Sequence, residues 1–230
     1  MEAIIPGPPF GTSQSCAMRR CGNMSKLRFS AMLVLIFSLG AAAARADEQP
    51  TYRGPLSPTE AAFQRSVQTD LLARFPHVQD AIKAGYVRYT NPDDTGAVSY
   101  ANQKWNSDPT HPSQLWYDVN GNLMGADFSV PRPNGEPRPQ LWGINPGRWF
   151  EFNGHVHYVL HTNGNYIYDQ WIWDGDFSKA GGDPNNPSPD VLVNAHRAAS
   201  ASDVTTIFHF PTLWDLIVWV RPHAAGQFMW

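Results

Sequence analysis

The sequence predicts an α+β fold, in which helices flank an antiparallel β-sheet that could close into a barrel-like form. Two patterns predict it. Helix-capping signals with helically spaced apolar residues cover about 57–84, and short runs of β-branched and aromatic residues bounded by Asn, Gly and Pro begin at Tyr86. Composition agrees, because 42% of the 230 residues are hydrophobic and 16% are charged, which excludes disordered, collagen-like and coiled-coil chains. We expect two N-terminal helices and one helix inserted before the last strands.

Residues 1–46 have the pattern of a secretory signal peptide. Lys26 and Arg28 precede an apolar run from Phe29 to Ala44, and small residues follow three apart. The run is too short for a comfortable membrane span, so we predict cleavage after Ala46 and a secreted or periplasmic, soluble product without a stable membrane span. Three methionines remain open as the true start of the signal: Met1, Met18 and Met24.

Removal of residues 1–46 changes the chemistry of the remaining chain. It takes five of the 17 basic residues and one of the 20 acidic residues, which leaves a net charge of −7. Such a chain is not expected to bind nucleic acid. Both cysteines, Cys16 and Cys21, are also removed, which excludes disulfides and thiolate chemistry. We expect 47–56 to be a flexible leader and 57–230 to be a single α+β domain, with its oligomeric state left open.

Two helices are predicted at the start of this domain. Ser57, Pro58 and Glu60 form a capping box with proline at the first helical position, and Pro76 ends the helix. A second, shorter helix is expected at about 77–84. The apolar residues at helical spacing are Phe63, Val67, Leu71 and Leu72 in the first helix and Val78, Ala81 and Ile82 in the second.

A β-hairpin is predicted around Asn120-Gly121, between strands at 115–119 and 123–130. With this turn, Asp118 and Asp127 lie on one face about 13 Å apart, too far for a glycosidase carboxylate pair. We therefore predict that both are solvated. The opposite, core face is expected to contain Leu115, Tyr117, Val119, Met124, Ala126 and Phe128.

The rest of the chain predicts further strands and the third helix. The helix begins at Ser188 and carries Val191, Leu192, Ala195 and Ala199 on its apolar side. The strands are expected at about 149–161, 165–173, 205–210 and 214–220, with a loop over 174–187.

The strand predicted at 149–161 carries the clearest chemistry. His155 and His157 alternate along it, so their side chains project to the same side about 7 Å apart. They could converge on one divalent transition metal, either Zn, Cu, Fe or Mn. Glu151, His161 or His209 could complete three protein ligands and leave an open position for water. If the protein is an enzyme, Glu151 is also the candidate general base.

Two other interpretations remain open. All nine tryptophans follow the signal, and the clusters 171–173 and 214–219 could line a cleft for a sugar or another flat ligand. The histidines could instead be only the hydrogen-bonded face of an amphipathic strand. The primary prediction is an exported protein whose histidine-rich sheet face binds a small ligand or metal. The alternative is a non-enzymatic binding or interaction protein with an aromatic-lined cleft and no metal.

Three stretches are similar to uncharacterised secreted bacterial proteins. They share a Leu-aromatic-Tyr-Asp, Asn-Gly, Leu-x-Gly hairpin, an Arg-Trp segment leading to His-x-His, and a C-terminal strand that ends in Gly-x-Phe. The stretches are 112–126, 147–157 and 214–228. This chain places 150–154 between the tryptophan and the first histidine. The resemblance covers about 85–228 and implies export and an α+β fold, without an activity.

Overall fold

The computed structural model describes residues 49–222. The predicted signal peptide, 1–46, lies outside the described residues, so export stays a prediction. Within 49–222, no helix combines the length and apolar character needed to cross a membrane. Residues 49–56, expected to be a flexible leader, include Thr51 and Tyr52, whose amides donate to the Gly147 carbonyl at 2.8 and 2.9 Å.

Over 49–222 the chain forms four α-helices and nine strands. The helices are α1 (Pro58–Arg74), α2 (Val78–Lys83), α3 (Asp174–Lys179) and α4 (Pro189–Asn194). The strands are β1 (Val87–Arg88), β2 (Val98–Ala101), β3 (Gln114–Tyr117), β4 (Leu123–Pro131), β5 (Phe150–Phe152), β6 (His155–Thr162), β7 (Asn165–Trp173), β8 (Val204–Phe210) and β9 (Leu213–Trp219). Two short 3₁₀ turns cover Pro146–Arg148 and Ala201–Asp203.

The strands form two antiparallel sheets. A six-stranded sheet has the order β1-β2-β3-β4-β9-β5, and a three-stranded sheet has the order β7-β6-β8. The α+β class with antiparallel pairing is therefore confirmed. The barrel-like form is not, because the six-stranded sheet is open, with β1 and β5 as its edges.

Helix α1 begins as the sequence predicts. The Ser57 hydroxyl accepts from the Glu60 amide at 3.1 Å, and the Glu60 carboxylate accepts from the Ser57 amide at 2.8 Å. Val67 and Leu71 are buried against the six-stranded sheet, whereas Leu72 is 42% exposed. The apolar stripe of α1 is thus narrower than predicted, and it covers one face of the large sheet.

The hairpin between β3 and β4 pairs 114–116 with 125–127, as the Asn120-Gly121 turn predicts, and departs from that register only next to the turn. A bulge between Trp116 and Tyr117 brings Tyr117 opposite Leu123. On the turn side of the bulge, the extra residue in β4 reverses which of its side chains face the core. Leu123 therefore lies in the core in place of Met124, and Val119 is 71% exposed.

The strand predicted at 149–161 is two strands in different sheets. It breaks at 153–154, where the Gly154 amide donates to Thr212 Oγ1 at 3.1 Å and a Cβ on Gly154 would clash with the Asp174 carboxylate. The segment 211–212 makes a second crossing between the sheets, from β8 to β9.

The helices before the last strands also differ from the prediction. The expected loop at 174–187 begins with α3, which buries Phe177. Helix α4 ends at Asn194 and not near Ala199, since His196 has a positive φ of 55° that stops the helix.

Within residues 49–222, helices cover one face of each sheet and leave the other face free. Helix α1 covers one face of the six-stranded sheet, and α3 and α4 cover one face of the three-stranded sheet through Phe177, Val191 and Leu192. The two sheets belong to the same compact unit. Their remaining faces meet in an aromatic cluster around Phe208 and Phe210, and the candidate site lies between them.

Candidate ligand-binding cleft

A cavity of about 560 Å³ lies between the two sheets. This volume is within the usual range for small-molecule sites, roughly 300–1,000 Å³. Of the described residues that line it, six are aromatic, three are aspartates, and none is Lys or Arg. The lining residues are Tyr89, Thr90, Asn91, Asp93, Ser99, Gln114, Trp116, Asp127, Phe152, His155, His157, Asp169, Trp171, Trp173 and Phe210. We call this space the cleft.

The two histidines of β6 are brought together, as the sequence predicts. Their Nε2 atoms are 3.0 Å apart, and their residues are only 6% and 9% exposed. His155 Nδ1 lies 2.6 Å from the Asn153 carbonyl, which can only accept. A neutral His155 therefore donates from Nδ1 and accepts at Nε2, and His157 donates from its own Nε2.

Aromatic rings hold the histidine pair in place. The His155 ring stacks on Phe210 at 4.9 Å and meets the edge of Trp173 at 5.7 Å. The His157 ring stacks on Phe208 at 5.5 Å and contacts Tyr89 at 4.7 Å. Burial lowers the pKa of His157 well below its usual value, and the neighbouring His155 ring lowers it further. The Gln170 backbone raises this pKa by a smaller amount. His157 is therefore neutral at neutral pH.

The opposite wall of the cleft is a chain of hydrogen bonds. The Tyr89 hydroxyl donates to Gln114 Oε1, and Gln114 Nε2 donates to Asp127 Oδ2 at 2.8 Å. Asp127 is 1% exposed, and burial raises the pKa of its carboxyl to about 7, against a smaller effect of the Phe128 peptide group. The prediction that Asp127 is solvated is wrong because the second sheet covers this face.

A second carboxylate lies on the same face of the large sheet. Asp215 is fully buried and pairs with Ser129, which is two residues from Asp127 along β4. Burial, and then the charge of Asp127, raise the pKa of the Tyr89 phenol well above its usual value, and Asp215 adds to the effect. The wall is thus acidic, and its tyrosine remains protonated.

Asp169 of β7 links the small sheet to the segment that follows β1 at one side of the cleft. Its amide donates to the Tyr89 carbonyl at 3.0 Å, and its carboxylate accepts from the Asn91 amide at 2.8 Å. Asp169 has a positive φ of 61°, a conformation in which Asp is more common than most residues. Asp93 orders the loop on the same side by accepting from the amides of Thr95 and Ala97.

The other predicted metal ligands and the candidate base lie elsewhere. Glu151 pairs with Arg132 on the α1 side of the large sheet. His161 is exposed at the far end of β6, and His209 contacts Asp174 at 3.0 Å on the helix-covered face of the small sheet. Among residues 49–222, no group of three or more His, Cys, Asp or Glu is arranged to hold a metal ion.

Sequence reasoning missed the wall formed by Tyr89, Gln114 and Asp127. A signal for it exists, because Gln114, Trp116 and Asp127 alternate with the core residues of β3 and β4. A strand face with polar and aromatic residues can either face solvent or line a binding site. Only the position of the second sheet shows that this face lines the cleft.

Comparison with known proteins does not assign this site. No protein-family model matches the chain, and no curated protein or solved structure matches it. The geometry of the cleft is therefore the basis for a functional assignment.

Proposed function

We propose that this chain is an exported binding protein that takes a small organic ligand with a flat or apolar body into the cleft. The observation that carries the proposal is the cavity of about 560 Å³ between the sheets, with aromatic walls and a few buried polar groups. That combination is typical of small-molecule sites. The lining includes His155 and His157 of the predicted histidine face and the 171–173 cluster of the predicted aromatic cleft, whereas the 214–219 cluster is not part of it.

The aromatic walls supply the apolar contact. Trp171 and Trp173 meet edge to face at 4.6 Å, and Trp171 is 43% exposed at the side of the cleft. A large, partly exposed indole beside a cavity offers area for stacking with a ligand ring. Phe152 and Phe210 continue this surface inward, with ring centroids 5.5 Å apart.

The polar groups supply orientation. His155, His157 and Gln114 are buried and held by the hydrogen bonds described above. Because these side chains are already ordered, a ligand would lose little affinity to their immobilisation. A ligand with hydrogen-bonding groups at one end and an apolar body at the other fits this arrangement best.

The test is ligand-observed NMR with a panel of small aromatic compounds. We expect binding to the purified protein, weakened at least about tenfold by Trp171→Ala, as for the loss of one aromatic contact. Tyr166→Ala is the matched control, since Tyr166 is 57% exposed on the same strand but does not line the cleft. No binding, or equal loss in both variants, would contradict the proposal.

A second candidate is a metal ion held by His155 and His157. The 3.0 Å between their Nε2 atoms favours it, because one ion at about 2.0–2.1 Å could bond to both after displacing the shared proton. Water or a bound ligand would supply the remaining positions. The test is elemental analysis for Zn, Cu, Fe and Mn in the wild type and the His155→Ala/His157→Ala variant. Near-stoichiometric metal that the double variant loses would support this candidate, whereas unchanged metal content would contradict it.

A further inference from the structure

The charged side chains that line the cleft have one sign. Asp93, Asp127 and Asp169 contribute carboxylates, and among residues 49–222 no Lys or Arg lines the cleft. A concave site lined by charges of one sign concentrates the field and favours ligands of the opposite sign.

Aromatic rings surround the same space. Trp116, Trp171 and Trp173 line it together with Tyr89, Phe152 and Phe210. The faces of such rings attract cations, and the attraction is strongest for tryptophan and where water is excluded. A neutral apolar ligand would use the area of the rings but not their electrostatic attraction.

Asp127 differs from the buried acids on the other face of the sheet. Glu60 and Glu151 each pair with an arginine, Arg148 and Arg132. Asp127 instead receives its side-chain hydrogen bond from the neutral amide of Gln114. Within the part of the chain that the structure describes, no salt bridge is formed by Asp127.

From these observations we infer that the cleft selects organic cations, meaning an ammonium or quaternary ammonium group on an apolar body. The inference rests on the proposed binding function and names its ligand class. The cationic group would lie among the aromatic faces and balance the acidic wall, and the apolar body would extend toward Trp171.

The test compares three phenyl compounds of matched shape and different charge. They are phenyltrimethylammonium, tert-butylbenzene and benzenesulfonate, titrated into the purified protein by NMR. We expect the cation to bind roughly tenfold tighter than the neutral compound, in line with desolvated cation–π contacts, and the anion to bind more weakly than both. Equal binding of cation and neutral compound would overturn the inference and leave the proposed function intact. Binding by none of the three would overturn the inference, and failure of the whole aromatic panel would overturn the proposed function as well.

Variants locate the source of the preference. At pH 8.5, where most Asp127 carboxyls are ionised because their pKa is about 7, Asp127→Asn keeps an acceptor for Gln114 but removes the charge. The affinity for phenyltrimethylammonium should then fall roughly tenfold, with that for tert-butylbenzene unchanged. Asp169→Asn, at a positive φ that Asn tolerates, should give a smaller fall. Asp176→Asn is the control, because Asp176 is exposed on α3 and pairs with Lys179. Equal effects of Asp127→Asn on both compounds would contradict the charge-based selection.

Discussion

The two faces of the six-stranded sheet bury acidic side chains in opposite ways. On the α1 side, Glu60 is 2.7 Å from the Arg148 guanidinium, with both side chains 3% exposed. On the cleft side, Asp127 is as deeply buried but is hydrogen-bonded by the uncharged amide of Gln114.

The pKa values follow this difference. Burial alone would raise the pKa of Glu60, but hydrogen bonds from Arg148 and from the amides of Ser57 and Asn145 outweigh it and lower the pKa to about 2. For Asp127, burial prevails and the pKa rises to about 7. On the α1 face, buried ion pairs stabilise the fold. On the cleft face, ionisation of a buried carboxylate destabilises it, and such perturbed carboxylates are characteristic of functional sites.

Removal of the charge on the α1 face should have the largest effect on stability. Glu60→Gln leaves the Arg148 guanidinium buried without its carboxylate, so we expect a loss of about 3–5 kcal/mol in the free energy of unfolding. Urea denaturation measures it. Asp70→Asn is the matched control, since Asp70 pairs with Arg74 on the exposed side of α1 and should cost less than about 1 kcal/mol. Similar losses in both variants would remove the distinction between the faces.

Removal of the charge in the cleft should have the opposite sign. Because the pKa of Asp127 is raised, its contribution to stability is complete below its unfolded pKa of about 3.9 and is lost as the pH rises through 7. Asp127→Asn lacks this loss. The variant should therefore gain roughly 3 kcal/mol relative to the wild type between pH 5 and pH 8.5.

Urea denaturation across this pH range checks the prediction. The titratable groups around Asp127 are Tyr89 and Asp215, with His155 and His157 lining the same cavity. They are present in both proteins, so their direct titration largely cancels in the difference. The difference in unfolding free energy between the variant and the wild type should widen as the pH rises. A difference that stays constant or narrows would show that ionisation of Asp127 does not destabilise the fold, and the contrast with Glu60 would fail.

The smallest expected effect comes from the uncharged hydrogen bond within the wall formed by Tyr89, Gln114 and Asp127. Tyr89→Phe removes the hydroxyl that donates to Gln114 and leaves a buried acceptor unsatisfied, so it should cost about 1–2 kcal/mol. Tyr100→Phe is a suitable comparison, because Tyr100 is a partly exposed residue of β2 that does not line the cleft. Equal costs in urea denaturation would mean that the hydrogen-bonded wall adds no stability of its own.

The parts of the fold that depend on local signals could be predicted from the sequence. The capping box at Ser57 and Glu60 set the start of α1, and Asn120-Gly121 marked the hairpin turn. The bulge between Trp116 and Tyr117 could not be predicted, because it leaves no local signature and yet changes which residues face the core.

The candidate site was predictable only in part, for a similar reason. The alternation that placed His155 and His157 on one side is local and held true in β6. The same alternation continues through Asn153 to Glu151, although the chain changes sheets there, so Glu151 lies on the far side. The burial of Asp127 depends on the second sheet, which is contributed by residues about 30 to 80 positions later in the chain.

The indole N–H signals of the protein test the cleft most directly. Titration with phenyltrimethylammonium, with the signals assigned through Trp→Phe variants, should shift those of Trp116, Trp171 and Trp173, which line the cleft. Trp149 and Trp214, which are buried on the α1 side of the large sheet, should not shift. Shifts of Trp149 and Trp214 without shifts of the cleft indoles would place binding elsewhere and contradict the assignment of the cleft as the ligand site.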